Sequence, residues 1–244
     1  LTYLDAIVRV YNQFGRRDNK YKARIKILVK ALGVERFSEL VEAEWDHLKD
    51  GDGKLPKEEL ERVKSHFTEP DYLALEANPT SYTDALATDT AFSRWVERNV
   101  RAHKKSGYSV VTFALKQKGT APGDVTDGQL FAVADLADKY SFGEARSTHQ
   151  QNLVLADVEQ AKLYDLWKEA KALGLATPTL GLLTDMICCP GGDFCALANA
   201  KSLPIAEALQ NAFDDLDYLH DLGEIDLNIS GCMNACGHHH IGNI

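Results

Sequence analysis

Apolar residues recur at helical spacing from the start of the chain. Leu4, Ile7, Val8, Tyr11 and Phe14 share one face, which predicts an amphipathic helix over residues 2–14 with Thr2 as candidate N-cap and Gly15 as its end. A second helix is predicted with Tyr21, Ile25, Leu28, Val29 and Leu32 on one face and Gly33 as its stop. Basic residues flank that face, with Arg17, Lys20 and Arg24 on one side and Lys22 and Lys26 on the other. A third helix is expected over residues 34–48. Asp50-Gly51-Asp52-Gly53 suggests a calcium loop but fails as one. With Gly51 as the invariant glycine, Leu48 falls on a ligand position and Lys57 replaces the closing glutamate. It reads as a turn before a short helix. Residues 68–90 carry Pro, Ser, Thr and Asn without a clear period and read as connecting chain.

The pattern then changes. Residues 108–116 alternate with β-branched residues and read as a strand. Thr126 and Gln129 make a capping box for a helix through Tyr140. Residues 146–155 read as a second strand, and Asp157 as the cap of a helix ending at Gly174. This β-α-β-α order suits a ferredoxin-like α+β unit. Beyond it, strands are expected over residues 181–188 and 224–229, with one helix directly after Cys195 and another over residues 204–213.

Two strand ends carry the chemistry. Cys189 and Cys195 sit in Cys-Pro-Gly-Gly-Asp-Phe-Cys; Cys232 and Cys236 sit in Cys-Met-Asn-Ala-Cys. Four thiolates complete an iron–sulfur cluster or a tetrahedral zinc site. The wide first spacing and the Gly- and Pro-rich loops favour a cluster; zinc, or buried cysteines without metal, are the alternatives. Cys188 precedes Cys189 in a strand, so its side chain points to the other face and it reads as structural. His238, His239 and His240 are consecutive, so they diverge and are not read as a metal site. The fold class expected is α+β: a ferredoxin-like α+β unit plus an α/β cluster-bearing domain, preceded by a helical segment. The expected divisions are 1–75 helical, 76–106 connecting, 107–175 ferredoxin-like and 176–244 cluster-bearing.

Charge and composition narrow the function. The net charge is −9, against the basic footprint that nucleic-acid binding relies on. No apolar run is long enough for a bilayer and no signal-peptide pattern is present, so no membrane partner is expected. Five cysteines without a secretory signal argue for reduced thiols and a cytoplasmic location.

Ile187–Ala198 and Ile229–Gly237 resemble the cysteine loops of the nitrite/sulfite reductase hemoprotein family. Arg17–Lys26 is similar to that family's basic helix near siroheme, and Arg146-Ser147-Thr148-His149-Gln150-Gln151-Asn152 to its R-x-T-x-x-Q-N strand. The four blocks come in the family's order. The resemblance implies a [4Fe–4S] cluster on Cys189, Cys195, Cys232 and Cys236, with Cys236 also bridging to the siroheme iron. It implies siroheme contacts from Arg17, Asn19, Lys22, Arg24, Lys26, Arg146, Thr148, Gln151, Asn152 and Asn234. Siroheme carries eight carboxylates, for which Arg and Lys are natural partners. The implied activity is an oxidoreductase: six-electron reduction of sulfite to sulfide, or of nitrite to ammonia, with electrons from ferredoxin or a flavoprotein. A bare iron–sulfur electron-transfer module is the reading from another class. Family members are about twice this length and pseudo-symmetric. A chain running from Leu1 to Ile244 is therefore expected to be the second half, truncated after the cluster loop, with the substrate-contacting Arg and Lys mostly in the other half.

Overall fold

The structure is a computed structural model that describes residues 1–244. The chain divides into two compact units, residues 1–70 and 71–244.

The first unit is helical: α1 (Thr2–Phe14), α2 (Ile25–Leu32), α3 (Val34–Leu48) and α4 (Lys57–Lys64). Ala6 and Val10 of α1 pack on Val41 of α3, with Ile7, Phe37, Leu40 and Trp45 around them. Thr2 is already helical and its neighbour Leu1 is the cap position, with no side-chain cap. The Thr2 hydroxyl instead accepts the Trp45 indole N–H at 3.1 Å. The second helix begins four residues later than its apolar face suggests. Asn19 Oδ1 accepts the Tyr21 N–H at 2.9 Å, and its backbone oxygen accepts the Lys22 N–H. This Asx-type turn competes with helix formation. Residues 17–24 are therefore a turn and lead-in, and of the basic motif only Lys26 lies on α2.

The second unit opens with α5 (Thr80–Thr88) and α6 (Thr90–Asn99), followed by β1 (Val100–Ala102). The stretch read as connecting chain thus contains two helices. Asp89 starts α6 by accepting the Phe92 N–H, and Phe92 and Trp95 are fully buried. Two large aromatic anchors outweigh the weak helix propensity of the Thr- and Ser-rich sequence. Next come β2 (Tyr108–Phe113), α7 (Asp127–Tyr140), β3 (Arg146–Ser147), β4 (Leu153–Glu159) and α8 (Leu163–Ala172). The sheet order is β1-β2-β4-β3, antiparallel throughout. Val111, Phe113, Leu155 and Val158 meet Leu136 of α7 and Leu166 of α8 in the main core. The α7 capping box forms as the sequence indicates.

Two expectations fail here. Residues 146–155 are not one strand: Gln151 adopts a φ of 60°, which breaks the run into β3, a turn and β4. Asp157 does not cap a helix but is buried in β4 beside the His103 ring, and α8 starts only after a 3₁₀ turn at Gln160–Lys162.

The last segment holds β5 (Ile187–Cys188), α9 (Leu203–Ala212), α10 (Leu216–Leu222) and β6 (Asn228–Ile229). β5 and β6 pair in parallel, Ile187 opposite Asn228 and Cys188 opposite Ile229. Leu182, Met186, Cys188, Ala206, Leu219 and Leu227 form their own core. The predicted strands are shorter than the apolar pattern suggests. The helix expected directly after Cys195 is absent; a 3₁₀ turn at Gly191–Asp193 and an open loop stand there instead. No helix is long and apolar enough to cross a membrane.

Candidate functional site

The parallel β5–β6 pair brings both cysteine loops to one end of the second unit. Cys189 follows β5 directly, and its N–H bonds to Ile229 O at 3.0 Å. Beyond the strands the loops are tied backbone to backbone. Gly231 O accepts N–H groups from Asn199 and Ala200, at 2.9 and 3.1 Å. Gly192 N–H bonds to Ala200 O at 2.9 Å. Glycine is required at the crossing. A Cβ on Gly231 would lie 2.8 Å from Ala200 O and 3.0 Å from Gly191 Cα, and one on Gly237 would lie 2.1 Å from Ile229 O.

The sulfurs differ in setting. Cys189 is buried; its Sγ accepts the Gly231 N–H at 3.0 Å and lies 3.5 Å from Ser202 Oγ. Cys195 and Cys232 are half-buried and Cys236 is exposed. Cys188 points the other way, into the apolar core, and burial pushes its thiol up to about 11. The four thiols do not meet at a point, and no three Cys, His, Asp or Glu side chains stand at metal-ligand spacing. The surroundings nonetheless fit a thiolate-bound cluster. A backbone N–H already points at one sulfur, and the glycines let the two cysteine loops cross backbone to backbone. Buried Asn234 Oδ1 and His239 Nδ1 in the second loop have no partner. Cys189, Cys195, Cys232 and Cys236 are the residues that could hold the cluster.

The R-x-T-x-x-Q-N segment forms the β3–β4 turn. Arg146 is exposed and paired with Glu144. Thr148 Oγ1 accepts the Asn152 N–H at 3.2 Å. The Gln151 and Asn152 side chains are turned inward. Gln151 pairs with the backbone of Cys188, donating to its O and accepting from its N–H, both at 2.9 Å. Asn152 Oδ1 accepts the Leu115 N–H at 3.0 Å, and its Nδ2 donates to Asp185 Oδ1 at 3.0 Å. A cavity of about 360 Å³ next to this turn is lined by residues including Arg101, Thr148, His149, Ile187 and Asn228.

Sequence reasoning missed Lys116. Its side chain is wholly buried; its ammonium donates to Gln150 O, Gln151 O and Asn152 Oδ1, at 2.7, 3.0 and 3.2 Å. Asp185 Oδ1 lies 3.9 Å away. Burial pulls Lys116 down to about 8 and pushes Asp185 up, each against the pull of the other's charge. The available signal was a lysine ending the apolar run Phe113-Ala114-Leu115.

Among the basic-motif residues, Arg17 donates to Asn12 Oδ1 at 2.6 Å and Arg24 to Ala23 O at 2.8 Å. Asn19 makes the turn described above, and Lys22 and Lys26 are exposed. These five belong to the first unit and the cysteines to the second.

Two family descriptions match the chain: "Nitrite/Sulfite reductase ferredoxin-like half domain" over residues 101–173, and "Nitrite and sulphite reductase 4Fe-4S domain" over residues 1–49. Neither match reaches the cysteines. Longer similarities do. A ferredoxin-type sulfite reductase of Mycolicibacterium paratuberculosis is 29% identical over 98% of this chain and 37% of its own length. A chloroplastic ferredoxin–nitrite reductase of Betula pendula is 26% identical over 98% and 35%. The solved structure of Mycobacterium tuberculosis NirA superposes with a TM-score of 0.59 at 27% identity, covering 97% of this chain and 37% of NirA. The chain thus spans little more than a third of these relatives.

Proposed function

This chain belongs to the nitrite and sulfite reductase family, and on that premise we propose that it is the cluster-bearing part of an assimilatory sulfite reductase. The proposed reaction is six-electron reduction of sulfite to sulfide. The observation that carries the reading is the crossing of the two cysteine loops at Gly191 and Gly231, where the Gly231 N–H bonds to Cys189 Sγ.

Cys189, Cys195, Cys232 and Cys236 would hold a [4Fe–4S] cluster, which would supply electrons one at a time when bound. Buried Cys189 is the anchored ligand. Exposed Cys236 would be the ligand left open towards the siroheme. In the second unit Arg146 and Thr148 would supply charge and hydrogen bonds for siroheme carboxylates and Asn234 a polar contact; in the first unit Arg17, Asn19, Lys22, Arg24 and Lys26 carry the family's basic motif, suited to carboxylates. Gln151 and Asn152 serve the same site by holding the turn and the Cys188 backbone. No residue of this chain is assigned as the proton donor. Ferredoxin is the proposed electron donor, because the sulfite and nitrite reductase relatives are named for it; a flavoprotein is the second choice. Nitrite is the alternative substrate, supported by the Betula similarity. The proposed location is cytoplasmic. The 244-residue chain alone is expected to have no turnover, and turnover matching a full-length enzyme would refute this.

The test is an anaerobic visible spectrum of the full-length protein with iron and acid-labile sulfide analysis, followed by sulfite and nitrite titration. Siroheme bands that respond to either anion support the reading, and relative turnover selects the substrate. Cys232→Ser and Cys236→Ser should each abolish cluster assembly. Colourless protein with stoichiometric zinc would overturn the proposal.

A further inference from the structure

A fully buried ammonium needs an explanation, because removing a charge from water costs several kcal/mol. Each of Lys116's three acceptors lies within residues 150–152 of the β3–β4 turn. That turn contains Gln151 in the left-handed region, a conformation a non-glycine residue holds only when its surroundings enforce it. The Gln151 amide closes on the Cys188 backbone in the manner of a neighbouring strand, one residue before the ligand Cys189. Both Asp185 oxygens accept hydrogen bonds, Oδ1 from Asn152 and Oδ2 from the Gly181 N–H at 3.0 Å, as an ionised carboxylate does.

We propose that Lys116 is a positioning residue for the first cysteine loop, acting through the Gln151 clamp on Cys188, and that the buried Lys116–Asp185 pair sets the local field at that loop. The inference rests on the cluster reading above. It has two separable consequences. Mechanically, Lys116 fixes the turn, the turn fixes Gln151, and Gln151 fixes the backbone from which Cys189 projects. Electrostatically, a cation beside the loop favours added electrons and an anion opposes them; low local dielectric makes both effects larger than at the surface.

The experiment uses the full-length holoprotein and its cluster-free form. In the cluster-free form, amide hydrogen exchange is followed at residues 187–190. Gln151→Ala and Lys116→Met should each speed exchange of the Cys188 and Cys189 amides tenfold or more. Unchanged exchange in both overturns the mechanical half. In the holoprotein, the cluster midpoint potential is read by reductive titration with electron paramagnetic resonance. Lys116→Met should shift it negative and Asp185→Asn positive. A purely structural role would not give opposite signs, so shifts of one sign, or none, overturn the electrostatic half. Asp185→Asn is nearly isosteric and keeps that half testable if Lys116→Met does not fold. Wild-type protein without a cluster would sink the functional reading itself, while the exchange measurement would still judge the clamp.

Discussion

Gly237→Ala tests whether the second cysteine loop depends on contact between backbones. The added Cβ would sit 2.1 Å from Ile229 O, 2.8 Å from Ile229 C and 2.9 Å from Ser230 Oγ. Ordinary contact begins near 3.4 Å, so the loop and the strand end must separate by about 1.3 Å. Overpacking against movable side chains costs roughly 1–3 kcal/mol. Here the obstacle is backbone, and Ile229 O is already held by the Cys189 N–H. Separation also breaks the 3.0 Å bond from the Gly237 N–H to Ser230 Oγ, worth about 1 kcal/mol. The sum is about 2–4 kcal/mol, limited by whatever it costs to open the loop locally. Urea unfolding of the cluster-free protein, with hydrogen exchange at Cys189 and Gly231, reads both routes. Gly128→Ala is the control: it lies in α7, where an added methyl group would meet nothing within 4 Å, and alanine there should gain about 0.5 kcal/mol. Gly237→Ala with stability within about 0.5 kcal/mol of wild type and unchanged exchange would refute the crossing.

Other consequences can be measured in the cluster-free protein. Thr126→Ala removes the α7 cap and should cost about 1 kcal/mol in thermal or urea unfolding. Asn99→Ala removes the buried amide whose Nδ2 donates to both Thr112 O and Thr177 O and should cost roughly 1–3 kcal/mol in the same assay. Lys116 holds its proton less tightly folded, at about 8, than unfolded, at 10.5. Between those values the unfolded chain binds more protons, so this group makes stability rise with pH, and its penalty is fully present below about pH 8. Relative to Lys116→Met, wild type should gain on the order of 3 kcal/mol across that window; a difference that is flat with pH would refute it.

What could be read from the chain depended on how local the determining forces are. The α7 capping box and the cysteine-bearing strand ends are written in neighbouring residues, and the pattern shows them. The packed face of α1 was not: Leu4, Val8 and Phe14 of the expected apolar face are exposed, and Ala6 and Val10 are buried in their place. Helices α5 and α6 were not legible because distant aromatic contacts decide them. The β3–β4 hairpin was hidden because Gln151 takes a glycine-like conformation that Lys116, 35 residues away, secures. The same distance hid the inward role of Gln151 and Asn152. At Gly237 the sequence alone does not tell close backbone approach from an ordinary turn; the position of Ile229 O separates them.

The bond from Gly231 to Cys189 Sγ spans 42 residues, and the strands it extends run parallel, with α9 and α10 in the crossover. During synthesis the first loop therefore exists before its partner. At ordinary elongation rates the lag is roughly 2–8 s. Throughout it Cys188, Cys189 and Cys195 are thiols on an unfinished chain, without the strand that later covers Cys189. Biogenesis thus has an order built into it: the ferredoxin-like sheet can form early from nearby residues, while the cysteine cradle closes only once β6 and the loop after it have been made. Oxidative damage or premature metal capture has its opening in that interval, and a cell making this protein must keep those nascent thiols reduced until β6 arrives.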